Sequence, residues 1–104
     1  MNRVTIELWL WLGEELGRDF TSPSAMRSIR EDGVEQGITI RGFLEDLAKR
    51  YPPIARAVFD LNTGRVYPHV VVNYNNRVIS PHIVHDQLLD DGDKITILPM
   101  YMGG

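Results

Sequence analysis

The chain has 104 residues, 43% of them hydrophobic and 24% charged, which suits one globular domain with a modest core. A net charge of −3 without any run of Lys or Arg gives no nucleic-acid footprint. The lack of cysteine excludes a disulfide scaffold, thiol catalysis and Cys-ligated zinc.

From Val4 to Leu12 the apolar residues Val4, Ile6, Leu8, Leu10 and Leu12 alternate with Thr5, Glu7, Trp9 and Trp11. Period two over this length predicts a long strand with an apolar inner face. Trp9 and Trp11 stand on the other face, where either a loop covers them or a partner contacts them. Gly13 to Ser24 mixes Gly, Asp, Thr, Ser and Pro and is read as a connection. Ala25 to Glu31 is expected as a weakly patterned second strand with Met26, Ser28 and Arg30 on one face, and Asp32-Gly33 and Gly37 as a break.

A helix comes next. Thr39 is a suitable N-cap, and Ile40, Phe43, Leu44, Leu47, Ala48 and Tyr51 form one apolar stripe. Pro52-Pro53 ends it, because the residue before a proline is driven out of the helical region. Ile54 to Phe59 allows one further turn, and Asn62-Thr63-Gly64 is a turn between two short extended pieces. Val70 to Tyr74 is a buried run, Asn75-Asn76 supplies the left-handed angles of a tight hairpin, and Arg77 to Ile79 returns. After Pro81, His82 to Leu89 is expected to be irregular. Asp91-Gly92-Asp93 then turns into a last strand, Lys94 to Leu98.

Two strands, a helix and a run of strands cannot build alternating parallel units, so the class is α+β. The economical arrangement is a curled mixed sheet holding one main helix, with the first and last strands parallel across the long crossover. Pro99 lacks a donor and is expected to stop the ladder there. The division is therefore a domain of residues 1–98 and a flexible tail of residues 99–104.

Three stretches, taken together, resemble the MoaD/ThiS family of ubiquitin-like sulfur carriers. They are Val70-Val71-Val72-Asn73 with its Asn75-Asn76 turn and return strand, Leu88 to Ile97 around Asp91-Gly92-Asp93, and Leu98-Pro99 followed by a terminal Gly103-Gly104. The proline before the tail is closer to the molybdopterin synthase small subunit than to the thiazole-forming carrier. Two features depart from the family pattern: the length of residues 18–37 and the bulk of Met100-Tyr101-Met102.

The resemblance implies a β-grasp fold and a carrier in place of an enzyme. Its C-terminal carboxylate, on Gly104, would be adenylated by an E1-like enzyme using ATP and converted to a thiocarboxylate. A partner such as a molybdopterin synthase large subunit would then take the sulfur. The chain itself would bind no cofactor or metal and contribute no catalytic residue. Glycine at 103 and 104 removes Cβ, which suits a narrow channel. Pro99 to Gly104, nearly extended, spans about 20 Å. Pro99, Met100, Tyr101 and Met102, with Trp9 and Trp11, are the expected partner contacts.

A cytoplasmic protein without membrane or nucleic-acid contact is expected, since no apolar run approaches the roughly 20 residues of a bilayer span and no signal segment is visible. Other readings are a thiamine-type carrier, a ubiquitin-like modifier joined through Gly104, and an interaction module whose glycines are never activated. His82 and His85 lack a supporting ligand set for metal. Asp90, Asp91 and Asp93 lack the spacing of a calcium loop and are expected to be a solvated turn. Arg77 and Lys94 are read as surface charges.

Overall fold

Val4, Ile6 and Leu8 are buried on one face of β1 (Asn2–Leu8). In the computed structural model, which describes residues 1–100, this strand lies inside a five-stranded sheet of order β2-β1-β7-β5-β6. It pairs antiparallel with β2 (Ser28–Val34) and parallel with β7 (Lys94–Pro99). β7 in turn pairs antiparallel with β5 (Val70–Tyr74), which forms a hairpin with β6 (Arg77–Ile79). This is the mixed sheet expected of a β-grasp fold, with the first and last strands parallel.

The main helix, α2 (Ile40–Arg50), covers the inner face. The Thr39 side chain caps it by accepting from the Gly42 N–H at 3.0 Å, which satisfies one of the helix's free donors. Ile40, Phe43, Leu44, Leu47 and Ala48 are buried against Ile6, Leu8, Ile95 and Ile97. Lys49 and Arg50 sit in the last turn, where cations oppose the helix dipole. Arg50 also reaches Asp32 of β2 at 2.6 Å and so ties the helix end to the sheet edge.

Several elements differ from expectation for physical reasons. β1 stops at Leu8, four residues early, because Trp11 adopts φ 59° and turns the chain out of the sheet. Leu12 is still buried, but it enters the core from the start of a short helix, α1 (Gly13–Leu16). A 3-10 turn at Gly17–Asp19 follows, so the supposed connection is structured and places Leu16 and Phe20 in the core. β2 runs through Asp32-Gly33, with Arg3 opposite Gly33. Its inner residues Arg30 and Asp32 face the polar helix end, which blurs the apolar alternation, so the strand expected at Ala25 to Glu31 runs instead over Ser28–Val34.

Pro52–Ala57 forms α3, with a proline at the first helical position where no donor is lost. The paired pieces β3 (Phe59–Asp60) and β4 (Arg65–Val66) flank the Asn62-Thr63-Gly64 turn as expected. Pro81–Asp86 is a helix, α4, and not an irregular segment; Pro81 starts it and Val84 anchors it in the core. Asn75 (φ 50°) and Asn76 (φ 70°) take the left-handed angles that the two-residue hairpin needs.

In the Asp91-Gly92-Asp93 turn Asp91 and Gly92 are exposed, as a solvated turn would have them, but Asp93 is buried and makes the turn a latch. Asp93 is 8% exposed and accepts from the Tyr74 hydroxyl at 2.6 Å, Asn75 Nδ2 at 3.0 Å and the Asp90 N–H at 2.8 Å. Asp91 accepts from the Arg3 N–H at 2.7 Å, and the Gly92 N–H donates back to the Arg3 carbonyl at 2.8 Å. The latch joins the start of β7 to β1 on one side and to the β5–β6 hairpin on the other. Burial pushes the Tyr74 phenol up to about 12, and its bond to the Asp93 carboxylate adds to the rise. Asp93→Ala leaves the Tyr74 hydroxyl and two N–H groups short of an acceptor, so it should cost about 2–3 kcal/mol in urea unfolding. In the same variant the Tyr74 ring, followed by NMR, should titrate below its wild-type value.

Candidate functional site

Because β1 and β7 are parallel, their C-terminal ends leave the sheet at the same edge. Leu8 stands opposite Ile97, and the Trp9 N–H donates to the Ile97 carbonyl at 2.9 Å. The next position along puts Trp9 beside Leu98, and Leu98 pairs with Val71. These three alternate out of phase with the core residues Leu8, Ile97 and Val72, so they share the outer face. Val78, opposite Asn73 on that face, is 70% exposed, and Met100 is 47% exposed. The tail therefore leaves the body within an apolar patch.

Pairing does not stop at Pro99. The proline is opposite Val70 in the last register, and the Met100 N–H donates to the His69 carbonyl at 2.8 Å. A proline is tolerated here because the alternating ladder puts the bonds to β5 on Leu98 and Met100, so the missing N–H faces the β1 side, beyond the last β1–β7 pair. The expected partner contacts Tyr101 and Met102, and the expected sulfur-accepting residues Gly103 and Gly104, lie outside the described residues.

Glu7 anchors the patch, and sequence reasoning missed it. On the outer face its carboxylate is 3% exposed. It accepts from Arg27 Nε at 2.9 Å and from the Trp9 indole N–H, and Lys94 Nζ is 3.3 Å away. Arg27 also lies 5.0 Å over the Trp9 ring, a cation–π contact. Half-burial of Trp9 thus comes from its own neighbours, Glu7 and Arg27. The available signal was a carboxylate two positions before a tryptophan on the same strand face. Lys94, read as a surface charge, is part of this network.

Trp11 is placed differently. It is 64% exposed, and its left-handed backbone is unusual for so bulky a residue. It borders a cleft of about 720 Å³ that Glu14, Glu15 and Ser22 also line. Trp9 is thus part of the outer-face patch and Trp11 faces a separate cleft. Among the described residues, no group of three or more His, Asp or Glu side chains converges as a metal site would require. No helix among them is long and apolar enough to cross a membrane.

The sheet order, the main helix α2 on its inner face and the parallel first and last strands define a ubiquitin-like β-grasp protein. The chain belongs to the ThiS family, whose family model matches residues 24–104. It is therefore one of the small ubiquitin-like sulfur carriers and modifiers. Small archaeal modifier protein 1 from Haloferax volcanii is similar in fold, with 19% identity, a TM-score of 0.71, and 97% of this chain and 100% of that chain covered. So is a provisionally named molybdopterin converting factor, subunit 1, from Pyrococcus furiosus, with 22% identity, a TM-score of 0.66, and 97% and 100% covered. A chain of the BexX/CysO complex from Amycolatopsis orientalis matches at 25% identity and a TM-score of 0.59, with 97% and 99% covered. No curated protein matches the chain by sequence at a significant level.

Burial on its own would raise the Glu7 pKa. Hydrogen bonds from Arg27, Trp9 and Lys94, with the Lys94 charge, outweigh it and hold the carboxyl below its ordinary range. A depressed pKa stabilises the fold above the unfolded value and is lost as pH falls through the folded one. Glu7→Gln should therefore lower stability at neutral pH by about 1–3 kcal/mol and flatten the acid limb. Urea unfolding at a series of pH values measures both effects; an unchanged acid limb would refute the assignment.

Proposed function

We propose that the chain is a sulfur carrier whose Gly104 carboxylate is the reacting group. The carboxylate attacks the α-phosphate of ATP on an E1-like enzyme, forming an acyl-adenylate and releasing pyrophosphate. The terminal sulfur of a donor persulfide then attacks the acyl carbon, and AMP leaves. A thiol of the sulfur-supplying enzyme attacks the donor sulfur of the resulting acyl disulfide, forming a disulfide with the donor and releasing the thiocarboxylate. The favoured destination is molybdenum or tungsten cofactor synthesis, with a sulfur-accepting partner of the molybdopterin synthase large-subunit kind.

The observation that carries this reading is the shared exit edge of β1 and β7. It sets the root of the tail beside Trp9, Leu98, Val71 and Val78, an apolar surface that an enzyme can grip while the tail enters its site. Four residues follow Met100, enough to reach about 13 Å when extended. Family membership supports carriage and modification alike, and the Leu98-Pro99 step favours the molybdopterin branch by resemblance.

Incubation with ATP, a sulfur donor and the cognate activating enzyme should shift the intact mass by one oxygen replaced with sulfur. Conjugates of larger mass would assign the chain to protein modification instead, and no adduct of either kind would remove both roles. Deleting Gly104 should abolish the shift with the fold unchanged. Trp9→Glu should weaken binding of the activating enzyme by about tenfold or more while leaving the tail intact.

A further inference from the structure

A cleft of about 850 Å³ lies between the β3–β4 turn and α4. Its accessible apolar floor comes from Val66, Tyr67, Pro68 and Pro81, with Phe59 and Val84 buried beneath it. Arg41 of α2, Arg65 of β4, and His82 and His85 of α4 also line it. The two imidazoles are three positions apart on one short helix and so share a face. The described lining thus sets two guanidiniums, one of them paired with Glu45, and two imidazoles against one carboxylate, Asp60, a local excess of hydrogen-bond donors.

The arginines are placed differently. Arg41 donates through Nε to the Gly64 carbonyl at 3.0 Å and lies 3.5 Å from Glu45, so its guanidinium is fixed at the cleft wall. A Cβ at Gly64, where φ is +70°, would stand 2.7 Å from Arg41 Nη2. Glycine at this turn therefore admits the guanidinium as well as the backbone angle. Arg65 is exposed and makes no ion pair among the described residues. Asp60, the one carboxylate on the cleft walls among the described residues, has Oδ1 occupied by the Asn62 N–H at 2.9 Å.

We propose that this cleft binds an extended acidic segment of a partner protein, its carboxylates on Arg65, Arg41 and the imidazoles and its apolar side chains on the floor. The length of the surface favours a peptide over a small anion. Val66, Tyr67, Pro68, Pro81 and Val84 line both this cleft and an apolar groove of about 420 Å³ that runs on to Met100. A small anion would use only the charged rim and leave the floor open to water. The binding does not depend on any chemistry at Gly104.

The test is a ¹⁵N NMR titration of the full chain with three probes: a capped peptide of alternating Glu and Leu, its Lys and Leu counterpart, and inorganic phosphate. The acidic peptide should give saturable shifts at Arg65, His82 and His85 and along the apolar floor, and the basic peptide none. Arg65→Glu should weaken the acidic peptide by about tenfold, its own spectrum confirming the fold. A chain lacking Gly104 should bind like the full chain, which separates this site from the carrier role. The proposal is overturned by absent shifts, by equal shifts from the basic peptide, or by an unchanged affinity in Arg65→Glu. Phosphate that reproduces the rim shifts, with the peptide adding none on the floor, would overturn it in favour of a free-anion site.

Discussion

The parallel pairing of β1 with β7 is the constraint on which the rest of the molecule depends. Parallel neighbours cannot be joined by a tight turn, so everything between them must form a crossover that returns the chain to the same end of the sheet. That crossover contains α2, which supplies the inner layer of the core, and the β5–β6 hairpin, which extends the sheet on the far side of β7. The same geometry sends the end of β7 out beside Trp9. An antiparallel last strand would release its tail at the opposite edge, beside Asn2 and Arg3.

Register is as important as direction. A slip of one residue in β7 would turn Leu98 and Met100 toward the helix and expose Ile95 and Ile97. Two carboxylates oppose such a slip. Asp93 fixes the start of β7 to Tyr74 and Asn75 of the β5–β6 hairpin, and Glu7 binds Lys94 across the β1–β7 pair. Both are buried, and both are held below their ordinary range because the hydrogen bonds they accept outweigh their desolvation. Buried charges of this kind lend position more reliably than net stability. Here the positioned object is the place where the tail leaves.

The sequence makes some of this legible and hides the rest for identifiable reasons. α2 was plain because its cap, its apolar stripe and the following prolines all agree. The Asn75-Asn76 hairpin was plain because few residues accept two consecutive left-handed angles. β2 was misplaced because its inner positions hold Ser28, Arg30 and Asp32, whose partners Tyr51 and Arg50 come from a distant helix end. α4 was hidden by a proline that can equally end a strand or begin a helix. The outer-face patch was only half visible: Trp9 marked it, but Leu98, Val71 and Val78 each belong to strands that pair only in the folded sheet. The Asp-Gly-Asp turn was legible from its residue types, and its role as a latch at the far end from the tail came only with the hydrogen bonds.

The distribution of exposed surface follows from the edges. An open sheet offers two unpaired strands, and both are blunted here: β6 has three residues, and β2 carries Arg30, Glu31 and Asp32 in succession. Strand addition is therefore disfavoured at either side. The outer face is treated unevenly, since Arg3 and Glu31 pair across it near the Asp93 latch while Leu98, Val71 and Val78 remain apolar near the tail. Charging the whole face would have favoured solubility, so the apolar end is best understood as surface reserved for a partner. The apolar surface and the root of the tail are adjacent because one pair of parallel strands delivers both to the same edge.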